Sequence, residues 1–193
     1  MSGGRRIGTA LVVASLALAA GLGPALGVTF LPKSFAELVD EADEIFVGGV
    51  AGLASRQTPA GTIVTDVTFS KVEVIKGDPG VAERTLVVLG GRVGDQTLVL
   101  PGVPSFLPGV TYLVFSRGNG TSVFPVVGGD QGLYEIRSDP ATGERLAFGA
   151  RGQPVSRMGR GPATPGVGPT LAAGATLTLR QVLDAVRDRL PSR

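Results

Sequence analysis

The 193-residue chain contains neither His nor Cys. That removes the commonest general base, the thiol nucleophile and the usual zinc ligands, so neither a Ser-His-Asp nor a Cys-His site can be assembled. Carboxylates remain, and they can do acid and base work or bind calcium. The densest group is Asp40, Glu41, Asp43 and Glu44. It closes an amphipathic helical stretch and lacks the alternating spacing and central Gly of a calcium loop, so it reads as a solvated helix end. Asp130, inside Val127-Gly128-Gly129-Asp130-Gln131-Gly132, reads as a turn former. A hydrolase using carboxylates alone would need two buried acids converging in a cleft, and it stands as a minor alternative.

Two glycine-rich pieces, Gly90-Gly91-Arg92-Val93-Gly94 and Gly128 to Gly132, could be mistaken for phosphate cradles. Neither leads into a helix, whose N-terminus makes such a loop useful, so both read as turns or bulges. Nucleic-acid binding on a small barrel needs a basic face with stacking aromatics, and the chain has only eight Phe, two Tyr and no Trp. No cofactor, metal or catalytic residue is therefore expected. The segment from Gly90 to Phe106 is the expected contact surface, with Arg92 and Phe106 as candidate partner-binding residues.

The elements that must position this surface are mostly strands. Ser34-Phe35-Ala36-Glu37 has capping-box spacing, with Phe35, Leu38, Val39 and Ala42 on one face of a short helix. Ile45 to Ala51 predicts a first strand. In TIVTDVTFSKVEVIK, residues 62 to 76, the residues Ile63, Thr65, Val67 and Phe69 share a face, after which the apolar phase slips to Val72, Val74 and Ile75. A β-bulge near Ser70-Lys71 would restore the core face and bend the strand. Further short strands are predicted at 85–89, 97–100, 111–115, 122–127, 133–137 and 145–148, with a hairpin at Gly118-Asn119-Gly120. Leu179, Val182, Leu183, Val186 and Leu190 then fall at helical spacing, with Thr178 as cap and Pro191 beyond the end.

The start of the chain has the three parts of a secretory signal peptide: Arg5 and Arg6, an apolar run from Ile7 to Leu22, then small residues. Ala25 and Gly27 place the predicted cleavage after Gly27. The expected organisation is a signal peptide at 1–27, a β-barrel domain at 28–149, a Gly/Pro/Arg-rich linker at 150–170 and a C-terminal helix at 171–193. Arg5 and Arg6 account for the whole formal charge of +2, so the chain from Val28 is neutral. Its charge is uneven: 28–83 holds four basic and nine acidic residues, whereas 151–193 holds seven basic and two acidic. The plain reading is solvated faces with a basic tail; the sharper one is that the tail docks on the acidic half.

From Phe35 to roughly Glu135, the segments SFAELVDEADEIFVGGV, TDVTFSKVEVIKGD, LGGRVGD, PGVPSFLPGVTYLVF and VVGGDQGLYEI resemble a family of exported bacterial domains of unassigned activity. Some members of that family accompany or are fused to secreted metalloproteases. Gly90, Gly91, Gly94, Gly102, Pro104, Phe106, Gly109, Tyr112 and Phe115 match its recurrent positions. More distantly the layout is similar to the netrin-like, OB-type barrel of tissue inhibitors of metalloproteinases. Their inhibition uses an N-terminal Cys that this chain lacks, so the resemblance implies the fold and not the mechanism. Tyr112 and Phe115 fall on opposite faces of one strand by parity, which predicts one core residue and one exposed.

The sequence thus predicts a mainly β protein, a small antiparallel OB-like barrel with a short helix before it and a tethered helix after it. The expected function is non-enzymatic: an exported domain, periplasmic or extracellular, that binds a protein, with a secreted protease as one expected partner. No nucleic acid and no stable membrane insertion after cleavage are expected. A structural role in the cell envelope is the alternative.

Overall fold

The computed structural model describes residues 30–80, 82–122, 124–156 and 176–191. The predicted signal peptide and most of the predicted linker lie outside them. Helix α1 (Phe35–Glu41) leads into two 14-residue strands, β1 (Glu44–Gln57) and β2 (Ile63–Lys76). Strand β3 (Arg84–Leu89), a small hairpin of β4 (Gly91–Val93) and β5 (Gln96–Leu98), and β6 (Thr111–Ser116) follow. A 3₁₀ turn (Gly129–Gly132), β7 (Leu133–Ser138), β8 (Arg145–Gly149) and helix α2 (Leu179–Arg187) complete the order.

Six strands form one antiparallel sheet in the order β3-β2-β1-β6-β7-β8, with β4-β5 as a separate pair. The mainly β antiparallel class holds. The ladder does not close into a barrel: among the described residues β3 and β8 are its two ends and do not pair. Other segments cover both ends instead. At β3, the side chain of Asn119 takes the place of a strand: its Oδ1 accepts from Val87 N at 3.0 Å and its Nδ2 donates to Thr85 O at 2.6 Å. At β8, Ala147 N donates to Leu177 O, and Val155 N donates to Ala147 O.

The slipped phase in β2 is resolved as expected. Register against β1 skips between Val47↔Glu73 and Gly49↔Ser70, and Lys71 has φ 52°, the single positive value outside glycine among the described residues. This left-handed residue takes up the bulge and returns Val72 and Val74 to the cluster that holds Phe69. Ile75 joins the opposite cluster. β1 runs six residues beyond its predicted end at Ala51. Those residues have no apolar alternation because both faces of the extension are largely solvated, and pairing with β2 holds them in place.

Two cores sit on the two faces of the central strands. On one, α1 and α2 cover Ile45, Val47, Leu113 and Phe115. On the other, Phe46, Val50, Tyr112 and Val114 pack with β2, β3 and the Phe106 loop. Tyr112 and Phe115 do lie on opposite faces, yet both are buried. The expectation of one exposed residue fails because both sides of β6 are covered.

Both helices begin with complete capping boxes, Ser34 with Glu37 and Thr178 with Gln181. Lys76 Nζ donates to Val39 O at 2.9 Å, meeting the carbonyl end of α1 where a cation is favoured. Helix α2 packs through Leu179, Val182, Leu183 and Val186. Its basic end reaches the acidic half through Arg189–Asp40 at 3.0 Å and Arg187–Glu73 at 3.7 Å. The sharper reading of the charge asymmetry therefore has direct contacts behind it.

Three local predictions fail. Among the described residues of 122–127 there is no strand: Ser122 Oγ accepts from Phe124 N and donates to Phe124 O, Pro125 has no N–H, and the pairing with β6 is a single bridge, Val126 with Ser116, closed by Arg117 N to Pro125 O and Val127 N to Phe115 O. Gly118-Asn119-Gly120 consequently turns into this irregular segment rather than joining two strands. β4, read as a turn, is a short strand.

Candidate functional site

β4 forms where the chain leaves β3 and crosses the outer part of β1 and β2. Ser55 and Thr65 are partners across those two strands, and their hydroxyls hydrogen-bond at 2.9 Å. Gly91 lies directly over this pair, and a Cβ there would fall on both hydroxyls. Thr65 Oγ1 donates to Gly90 O at 2.7 Å, while Arg92 N donates to Ser55 Oγ at 3.3 Å. The double glycine is thus explained by close approach together with positive φ at both positions, as a crossing point and not as a phosphate cradle.

Beneath and beside the crossing is an open cleft of about 370 Å³. Val67, Val88 and Phe106 contribute to its buried lining, and Leu53, Leu98, Val99 and Val103 to the rest. Arg92 also lines it, so the structure brings the two candidate residues to one site. Their roles differ. Arg92 is exposed, its Nε donates to Gly94 O at 3.1 Å, and it has no carboxylate within ion-pair distance among the described residues. Phe106 is only 7% exposed and packs edge-on against Phe69 and Tyr112. Phe106, expected from the sequence as a partner-binding residue, is a core residue with its edge at the cleft.

Of the polar residues that line the cleft, Ser55, Thr65 and Arg92 are engaged with one another and with the Gly90 and Gly94 carbonyls; Tyr112, outside the lining, packs against Phe106. Tyr112 Oη accepts from Leu107 N at 3.2 Å, and burial raises the Tyr112 pKa, with the Leu107 hydrogen bond opposing. No buried side-chain nitrogen or oxygen among the described residues lacks a partner. The cleft therefore offers apolar surface and one exposed cation, without a converging set of unused donors of the kind that fixes a small polar ligand.

The acidic cluster lies elsewhere and is dispersed among different partners. Asp40 meets Arg189, Glu41 meets Lys33 and Arg117, Asp43 accepts from Gly118 N, and Glu44 meets Arg84. Among the described residues no group of three or more acids could hold a metal ion. Asp130, in the 3₁₀ turn, pairs with Arg151 at 2.9 Å. No helix among the described residues is long and apolar enough to cross a membrane.

Sequence reasoning missed Leu53 and Val99, which line the cleft while 41% and 80% exposed. Val99 lay in a predicted strand, where an apolar residue is assigned to the core by default; Leu53 lay just beyond one. Comparison of the chain with protein-family models, curated proteins and solved structures finds no match.

Proposed function

We propose that this chain is an exported, non-catalytic protein-binding domain that receives its partner at the cleft between the outer part of β1 and the β4-β5 hairpin. One observation carries the reading. Of the four large apolar side chains left exposed among the described residues, Leu53 and Val99 line this cleft, and Leu107 directly follows its lining residue Phe106. Scattered exposed apolar residues need no explanation, but their concentration at one concavity marks an interaction surface. Arg92 at the rim supplies charge selectivity and steering. Export rests on the three-part pattern of residues 1–27, and the resemblance of Phe35 to Glu135 directs the search toward secreted proteases.

The test is photo-crosslinking in the producing cell, with a benzophenone side chain at Val99 and a control at Thr142 in the β7-β8 turn. A discrete adduct from Val99, absent from Thr142 and lost with Leu53→Asp, is the expected result. Equal labelling from both positions, or none, would remove the cleft as the binding site.

A further inference from the structure

Among the described residues, β1 is paired on both sides only over its first half. β6 accompanies it from Glu44 to Gly49, and Val50 exchanges hydrogen bonds with Gly109 and Val110. From Ala51 to Gln57, β2 is its sole ladder partner among the described residues. The register identifies which backbone groups are left over. Thr58 N bonds Thr62 O at the turn, so counting back in twos makes Arg56↔Val64 and Ala54↔Asp66 the hydrogen-bonded pairs. The close Ser55–Thr65 hydroxyl contact fits the alternate, non-hydrogen-bonded pair. Leu53, Ser55 and Gln57 therefore direct N–H and C=O away from the sheet, and all three residues are exposed.

Such an edge is a template for another strand, and folded proteins usually blunt it with charge, proline or a cover. Here there is no proline, and the one charge, Arg56, is held by Asp66 in a two-point ion pair at 2.7 and 3.1 Å. The same edge carries Leu53 and runs beside the cleft where Arg92, among the described residues, lacks a carboxylate partner. We propose that the Ala51–Gln57 edge binds an extended peptide segment of another protein as an added strand. Its apolar side chains enter the cleft at alternate positions, and an acidic side chain meets Arg92. This rests on the protein-binding reading above and names the partner's form. Main-chain bonds supply the affinity, and the cleft and Arg92 supply the selectivity. A second copy of this chain is the lesser fit, because its own edge would bring Arg56, already neutralised, and no free carboxylate.

The test selects peptides from a random displayed library against the full chain, then measures binding of the synthetic winners. Alternating apolar residues with an acidic residue at one end are expected. N-methylation of the peptide backbone should weaken binding at least about tenfold at every second position and little between them, since each lost hydrogen bond is worth about one power of ten. The amides of Leu53, Ser55 and Gln57 should gain hydrogen-exchange protection. Arg92→Glu should cost about tenfold against the acidic peptide, and Lys in place of the peptide acid should restore it. Peptides that need Leu53 but tolerate N-methylation everywhere would overturn strand addition while leaving the cleft as a binding site. A library that yields no binder, or protection of these amides that rises with protein concentration alone, also overturns the proposal.

Discussion

Arg92 and Phe106 share a cleft but answer to different forces. Phe106→Ala removes a buried ring from between Phe69 and Tyr112 and is expected to cost about 3–5 kcal/mol. Arg92→Ala removes an exposed side chain and should change stability by less than about 0.5 kcal/mol. Denaturant unfolding of the two variants should separate them. Tyr112 and Tyr134 extend the residue-scale picture to pH, for burial raises both phenols above their ordinary range. A raised folded-state value means that the native protein holds these protons more tightly than the unfolded chain. Their contribution to stability is thus complete below a pH of about 10 and declines as pH rises through the folded values. Alkaline titration should show phenolate absorbance arriving together with unfolding, and Tyr134→Phe should shift that midpoint upward.

At the scale of elements, edge management is uneven. β8 is covered by backbone from Val155 and Leu177, and β3 is covered by one side chain, Asn119. The assignment of its amide is fixed by the partners, since Val87 N–H needs an acceptor and Thr85 C=O needs a donor. Asn119→Asp keeps the acceptor, loses the donor and sets a carboxylate against the Thr85 carbonyl. It should lower stability by about 1–2 kcal/mol and speed exchange at Val87, whereas Asn119→Gly should speed exchange without the repulsion. The bent β2 was readable from the phase slip at Ser70-Lys71, because alternation must resume on the core face. The β4-β5 hairpin was not readable. Gly90-Gly91 signals unusual backbone, but what it passes over is set by Ser55 and Thr65, far away in the chain.

For the whole molecule, the terminal helix is part of the core. Removing residues from 176 onward would expose the surface that Leu179, Val182, Leu183 and Val186 cover, together with the edge of β8. A large fall in denaturant midpoint and loss of a sharp transition are expected. Its ion pairs are partly exposed, so Asp40 with Arg189 should contribute at most about 1 kcal/mol in a double-mutant cycle, diminishing with salt. A truncation that unfolded normally, with only its salt dependence altered, would show that charge and not apolar burial attaches the helix.

What the sequence determined by itself was set by short-range rules. The absence of His and Cys excluded whole classes of site; capping spacing at Ser34 and Thr178 placed two helix starts; alternation and its slip located most strands and the bulge at Lys71. These depend on neighbours within a few residues, so the chain carries them locally. The tertiary structure decided the covering of both faces of β6, which buried Tyr112 and Phe115 together. It also decided the fate of the polar outer half of β1, the use of Asn119 as an edge clamp, and the gathering of Leu53, Val99 and Arg92 around one cleft. The outer half of β1 is held by β2 partners 6 to 16 positions away, whereas the others depend on contacts between residues more than 30 positions apart along the chain. Local patterning does not encode such contacts, because apolar exposure and unpaired backbone are defined only once every other segment has taken its place.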